Sequence, residues 1–137
     1  MKIVICSHAK MAEGVFSALR LIGGEHKDVQ YLNAYTENSD FKNDLRNLIV
    51  DDDTEYCIIT DLLGGSVNQE VMQYLRKKNV YIVTGMNLPL VLQLVIENEA
   101  TGLNAESIKQ AVQEARQQIV FVNEIIHGHD SKDEFEE

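Results

Sequence analysis

Tryptophan is absent from this 137-residue chain, proline occurs once and cysteine twice. Two cysteines are too few for the disulfide framework of a small secreted domain, and Cys6 and Cys57 lie in apolar runs that predict buried structural thiols. No apolar run approaches the roughly 20 residues that a membrane-spanning helix needs. Because Met1 leads directly into a strand-like run with no basic leader, we expect a cytoplasmic protein.

Positive charge is also scarce, with 12 Lys and Arg residues against 22 Asp and Glu residues and a formal net charge of -10. This balance argues against nucleic acid as a partner, because binding to phosphates requires an excess of basic side chains. Hydrophobic residues make up 45% of the chain and charged residues 25%, as in ordinary globular proteins. We expect a single domain over residues 1–128, followed by an acidic, disordered tail over residues 129–137.

Apolar runs alternate with helical patterns along the chain. The runs at residues 2–7, 29–35, 55–60 and 79–83 predict strands, and residues 119–122 predict a fifth. Helices are predicted from Met11 to the Gly23-Gly24 pair, after a cap at Asn38 or Ser39, from Gly65, over 90–96 after Asn87, and from Asn104 to Gln117. This alternation predicts an α/β fold: a doubly wound, mainly parallel sheet covered by helices on both faces.

Polar side chains follow the first and third predicted strands. His8 ends one apolar run and Asp61 ends another, and the carboxyl ends of neighbouring parallel strands meet at one edge of the sheet. An imidazole has an ordinary pKa of about 6.5, so near neutrality one nitrogen is nucleophilic and can accept a phosphoryl group. A carboxylate acceptor would hold the proton on the other nitrogen. We therefore interpret His8 as a phosphoryl-carrying histidine that Asp61 orients.

The Gly64-Gly65-Ser66 turn predicts an anion site next to His8. Glycine lets the backbone approach a ligand closely, and a helix N-terminus offers N–H donors to a phosphate. Each residue also has a purely structural interpretation: His8 as a polar strand end, and Asp61 or Ser66 as a helix cap.

Other motifs give no support for a metal or nucleotide. The chain contains no Walker sequence, so no nucleotide cofactor is predicted. His26 lies in a turn and is expected to be exposed, His127 and His129 are spaced for weak metal binding at most, and residues 51–53 lack the rest of a calcium loop. We predict no metal site and no cofactor.

Three segments together resemble a known family. They are residues 5–14 (Ile-Cys-Ser-His-Ala-Lys-Met-Ala-Glu-Gly), residues 60–66 (Thr-Asp-Leu-Leu-Gly-Gly-Ser) and residues 84–89 (Thr-Gly-Met-Asn-Leu-Pro). In this order they are similar to the IIA component of the mannose family of the bacterial phosphoenolpyruvate-dependent sugar phosphotransferase system, and the resemblance runs from about residue 1 to residue 125.

The resemblance implies a transfer chain. His8 would accept a phosphoryl group from the phosphocarrier HPr and pass it to a IIB component, which serves the membrane IIC and IID proteins. Asp61 aligns with the acid that orients the histidine, and Ser66 with a serine beside the phosphate. Family members are homodimers that exchange their last strand, so the resemblance implies an antiparallel C-terminal edge strand at residues 119–125, after four parallel strands.

The sequence departs from the family at two places, and it leaves two other functions open. Ala9 stands where a glycine is common after the histidine, and Val67-Asn68 stands where proline and a bulky residue are common. The phosphotransfer subunit of dihydroxyacetone kinase shares the fold and a similar histidine segment. A flavodoxin-like signalling or ligand-binding module without a covalent step is the alternative from another class.

Overall fold

The computed structural model describes residues 1–50 and 53–126 of the chain. Its sheet contains four parallel strands in the order β2-β1-β3-β4: β1 (Lys2–His8), β2 (Val29–Ala34), β3 (Tyr56–Thr60) and β4 (Val80–Thr84). The helices that join and cover them are α1 (Met11–Gly23), α2 (Phe41–Leu48), α3 (Ser66–Met72), α4 (Leu88–Ala100) and α5 (Ala105–Arg116). A 3₁₀ turn, Gln73–Arg76, continues α3. The predicted doubly wound α/β fold is confirmed.

The sheet separates two hydrophobic cores. Ile3 and Ile5 of β1 pack with α1, α4 and α5, whereas Val4 and Cys6 pack with α2 and α3. Alternate residues of a strand point to opposite faces, so a strand that is covered on both faces must be almost continuously apolar. Cys6 and Cys57 are buried and free, and burial raises the pKa of the Cys57 thiol to about 12.

The helix starts agree with the sequence in part. The side chains of Asn87 and Asn104 cap α4 and α5 as predicted, accepting backbone N–H bonds from Leu90 and Ser107. The predicted cap of α2 at Asn38 or Ser39 is wrong. That helix follows Asp40, which makes no side-chain cap bond, while the Ser39 hydroxyl bonds the backbone of Thr36 within the preceding turn.

The predicted fifth strand at residues 119–122 is not formed in this structure of one chain. Residues 119–121 have no regular secondary structure, and residues 122–126 are helical. A strand needs a neighbour for its backbone hydrogen bonds, whereas a helix satisfies its own. The segment nevertheless carries exposed apolar side chains: Ile119, Val120, Phe121, Val122, Ile125 and Ile126. The strand exchange that the family resemblance implies stays a prediction.

Several predictions fall outside the described residues. They concern the acidic tail over residues 129–137, the histidine pair at 127 and 129, and the first two residues of the 51–53 triplet. Among the helices of the described part of the chain, none has the length and hydropathy to cross a membrane.

Candidate functional site

The candidate site lies at the carboxyl edge of the sheet, where β1 and β3 end side by side. Cys6 of β1 pairs with Thr60 of β3, so the next residues of the two strands emerge together. The Oδ2 atom of Asp61 accepts a hydrogen bond from the His8 backbone N–H at 2.8 Å and lies 2.9 Å from the His8 Nδ1 atom. One carboxylate oxygen thus fixes both the main chain and the imidazole of His8.

The charge of Asp61 favours one arrangement of the imidazole proton. Burial of the carboxyl opposes its ionisation, but the hydrogen bonds from the backbone and ring of His8 stabilise the carboxylate and hold the pKa of Asp61 below its ordinary value. An ionised carboxylate can only accept hydrogen bonds, so Nδ1 must carry the proton that it shares with Oδ2. In the neutral form of the ring the other nitrogen, Nε2, is then unprotonated and has a lone pair.

Ser66 and Gly65 border the unprotonated side of the ring. Ser66 Oγ lies 3.2 Å from His8 Nε2, and with Nδ1 protonated the hydroxyl is the donor. The side chain of His8 is 40% exposed, so Nε2 lies at the surface, whereas the Asp61 side chain is 10% exposed. A nucleophile at the surface, backed by a mostly buried carboxylate, is suited to exchange a group with another molecule.

The absence of a side chain at position 65 allows this close approach. A Cβ atom there would lie 3.4 Å from Cε1 of His8 and 3.3 Å from the carbonyl oxygen of Leu62. The N–H of Gly65 donates to that same carbonyl at 3.1 Å. Gly65 therefore serves the site by its small size, and its own N–H is used within the turn.

A buried polar network holds the turn that follows Asp61. The Asn68 side chain accepts a hydrogen bond from the Gly64 N–H at 3.1 Å and donates to Thr60 Oγ1 at 3.0 Å. Thr60 in turn donates to the Thr84 hydroxyl at 2.8 Å, which connects the ends of β3 and β4. Because Asn68 is almost fully buried, these bonds satisfy a side chain that would otherwise be costly to bury.

The alternative interpretations of the site residues as helix caps are wrong for α3. Gly65 is the N-cap residue of that helix and makes no side-chain cap bond, and Ser66 is the first helical residue. The Asp61 carboxylate accepts its hydrogen bonds from His8, and the Asn68 side chain accepts the hydrogen bond from the Gly64 N–H.

The prediction that His26 is exposed is also wrong. Its side chain is only 6% exposed, and its Nδ1 atom contacts the Glu99 carboxylate of α4. The loop after α1 folds back over the helix, so that the ring of His26 lies against Gly23. The side chain of a turn residue can thus be covered when its loop packs on neighbouring helices, which local sequence does not reveal.

Two residues of the site region were not predicted from the sequence. Asn68 bonds the glycine turn, and the Tyr35 ring lies 5.5 Å from the His8 ring, centroid to centroid. Tyr35 ends the second predicted strand, and a doubly wound order places that strand beside the first. This position could have predicted that Tyr35 lies near His8. Among residues 1–50 and 53–126, no group of three His, Cys, Asp or Glu side chains could hold a metal ion.

Comparison with known proteins identifies the family. Residues 2–113 match the sequence profile of EIIA-man, the PTS system fructose IIA component. The chain belongs to the EIIA-man family. Its members are IIA components of the sugar phosphotransferase system, so this IIA chain has a general phosphotransfer role in that system.

Solved structures support the assignment to the EIIA-man family. A candidate phosphoenolpyruvate-dependent sugar phosphotransferase system permease from Klebsiella pneumoniae is 30% identical, with a TM-score of 0.83 over 91% of this chain and 93% of that one. The IIA protein of the Streptococcus pneumoniae fucose utilization operon is 26% identical, with a TM-score of 0.73 over 91% and 95%. A mannose/sorbose-specific IIA subunit from Enterococcus faecalis shares the fold at 21% identity, with a TM-score of 0.69 over 88% and 92%.

Proposed function

We propose that this IIA chain carries a phosphoryl group on Nε2 of His8, accepting it from HPr and passing it to a IIB component of a IIC/IID permease. The observation that supports this most directly is the orientation of His8: Asp61 occupies the Nδ1 side of the ring, while Nε2 lies at the surface beside Ser66. A histidine that served only as a polar strand end would not need a mostly buried carboxylate on one nitrogen and a serine hydroxyl at the other.

The chemistry needs no metal or nucleotide cofactor. The Nε2 lone pair of His8 attacks the phosphorus of the donor's phosphohistidine in line with the breaking P–N bond, whose electron pair returns to the donor imidazole. The proton on Nδ1 stays in place, so phosphorylated His8 becomes a cationic ring that the Asp61 carboxylate faces at 2.9 Å. Transfer to IIB repeats the step with His8 as the leaving group. Alignment and charge stabilisation are the main contributions of a protein to such transfers.

Phosphate oxygens on Nε2 would meet the start of α3. The Ser66 hydroxyl is within hydrogen-bond reach of that nitrogen, and the first N–H groups of a helix have no carbonyl partner inside the helix. We assign Ser66 as the phosphate-binding side chain and Gly65 as the residue whose size leaves room for the group.

We also propose a homodimer, a cytoplasmic location with transient association to the permease, and a domain that ends near residue 128. The exposed apolar side chains at residues 119–126 form a larger patch than single surface hydrophobics, and a second copy of the chain would bury them. Light scattering should give twice the mass of one chain, and a chain cut after residue 118 should give less dimer. A monomeric 137-residue chain would contradict the dimer.

The test of the function is phosphorylation by phosphoenolpyruvate, enzyme I and HPr, followed by mass-spectrometric mapping under non-acidic conditions. We expect label on His8 alone, no label in His8→Ala, and full label in the control His26→Gln. Acid-labile phosphate on the His8→Ala protein would contradict the assignment. The labelled protein is then mixed with a IIB component or with a dihydroxyacetone kinase subunit. Transfer only to the kinase subunit would favour the dihydroxyacetone kinase alternative. If the wild-type chain is not labelled at all, a flavodoxin-like binding module is favoured.

A further inference from the structure

Tyr35 has an unusual backbone conformation next to the candidate site. It follows β2 with a φ of 61°, in the left-handed region that bulky side chains rarely adopt. Such strained residues are concentrated at functional sites, where the position of a side chain can outweigh the energetic cost of the backbone conformation. Tyr35 as a whole residue is 65% exposed, so hydrophobic burial does not explain why the strain is tolerated.

The left-handed conformation changes the face of the sheet on which Tyr35 lies. His8 pairs with Ala34, and Ala34 is buried in the core that α2 and α3 cover. In a continued strand the next side chain would point to the opposite face, toward α1. The backbone at Tyr35 interrupts this alternation, and its ring lies 5.5 Å from the ring of His8 with 33° between their planes.

The contact restrains a motion that the hydrogen bonds of His8 do not. Asp61 and Ser66 hold the two ring nitrogens, and hydrogen bonds to an imidazole nitrogen lie near the plane of the ring. A neighbouring aromatic ring instead limits tilting out of that plane, and aromatic pairs at this separation are attractive. In-line transfer depends on the direction of the Nε2 lone pair, so tilting would reduce the rate.

We propose that Tyr35 is a positioning residue that packs against the imidazole of His8 and restrains its tilt; this rests on the proposed function of His8. The aromatic ring is the active part, and the phenol hydroxyl is dispensable. Tyr35→Phe keeps the ring. Tyr35→Asn removes it and substitutes a residue that tolerates the left-handed conformation. Leu21→Asn, which removes an exposed apolar side chain from α1, is the surface control.

The experiment uses phosphoramidate, a small donor that phosphorylates histidine without a protein partner, so docking does not affect the rate. We expect His8 labelling to slow about 2- to 12-fold in Tyr35→Asn, which is the worth of one aromatic pair, and to stay within about twofold of wild type in Tyr35→Phe and Leu21→Asn. The ¹³C order parameter of the His8 ring should fall only in Tyr35→Asn.

Thermal unfolding separates positioning from general stability. Asparagine tolerates the left-handed conformation, and this gain offsets the lost contact between the two rings, so Tyr35→Asn should melt near the wild-type temperature while it reacts more slowly. A Tyr35→Asn protein with wild-type labelling and an unchanged ring order parameter would overturn the inference about Tyr35. A wild-type protein that is not labelled on His8 would instead overturn the proposed function, and the order parameters would still decide the role of Tyr35.

Discussion

Replacing Asp61 with asparagine keeps the shape of the site and removes its charge. Oδ2 accepts both hydrogen bonds from His8, while Oδ1 is buried and has no hydrogen-bond partner in the described part of the chain. The amide oxygen can take the place of Oδ2, which keeps both bonds but leaves phosphorylated His8 without its counter-charge. In the flipped orientation the amide NH₂ faces Nδ1 and favours the tautomer in which Nε2 is protonated and cannot attack.

Both orientations slow the transfer. A hydrogen bond to a charged group contributes about 1.5–3 kcal/mol, which corresponds to about 10- to 150-fold in rate if it is lost in the transition state. The wrong tautomer costs more, about 10⁴-fold for the comparable change in a serine protease. We therefore expect Asp61→Asn to transfer the phosphoryl group on the order of 100-fold more slowly than wild type, with about tenfold as the smallest effect.

The assay is single-turnover transfer from saturating phospho-HPr, stopped by rapid quench. Asp44→Asn is the matched control, because it removes one exposed carboxylate from α2 with the same change in net charge. Unfolding curves of both variants check that each is folded at the assay temperature. An Asp61→Asn protein that transfers within about twofold of wild type would refute the role of Asp61 and make that residue purely structural.

Three further predictions concern stability and the shape of the site. The pKa of Asp61 in the folded protein lies below its ordinary value of 3.8, so the stability that this carboxylate contributes is present above that pH and is lost as the pH falls through the folded pKa. The difference in unfolding free energy between wild type and Asp61→Asn should therefore shrink in acid, and a difference that is constant with pH would argue against this. Ala9 has a φ of 51°, a left-handed conformation that strains any residue other than glycine. In urea denaturation, Ala9→Gly should therefore be more stable by about 0–1 kcal/mol and Ala9→Val less stable by about 1 kcal/mol or more. Equal stabilities of the three proteins would contradict backbone strain at Ala9. Gly65→Ala should cost about 1 kcal/mol of stability yet slow transfer about tenfold, because its Cβ would lie 3.3 Å from the Leu62 carbonyl oxygen and 3.4 Å from the His8 ring, so that the turn and the ring shift apart. Full activity would show that the site absorbs this shift.

The sequence was sufficient to predict the fold and the pairing of His8 with Asp61. Apolar runs and helical spacing predict a doubly wound order, and that order alone brings the ends of β1 and β3 together. The capping of α4 and α5 was equally predictable, because Asn87 and Asn104 act within their own turns.

The remaining features depend on packing between distant segments or on single backbone angles. The side chain of His26 is covered because its loop packs on α1 and on Glu99 of α4, which lies 73 residues further along the chain. The contact of Tyr35 with His8 follows from one positive φ, which no propensity of tyrosine indicates. Residues 119–122 read as a strand because they are apolar, but apolar residues form a strand only where a second strand is available to pair with them.

The most direct test of the proposed mechanism is to find which nitrogen carries the phosphoryl group. Protein with ¹⁵N-labelled histidine, phosphorylated through HPr, is measured by ¹⁵N and ³¹P NMR. We expect phosphorus coupled to Nε2 of His8 and a retained proton on Nδ1, the nitrogen that faces Asp61. Phosphorus on Nδ1, or on any other residue, would contradict the mechanism.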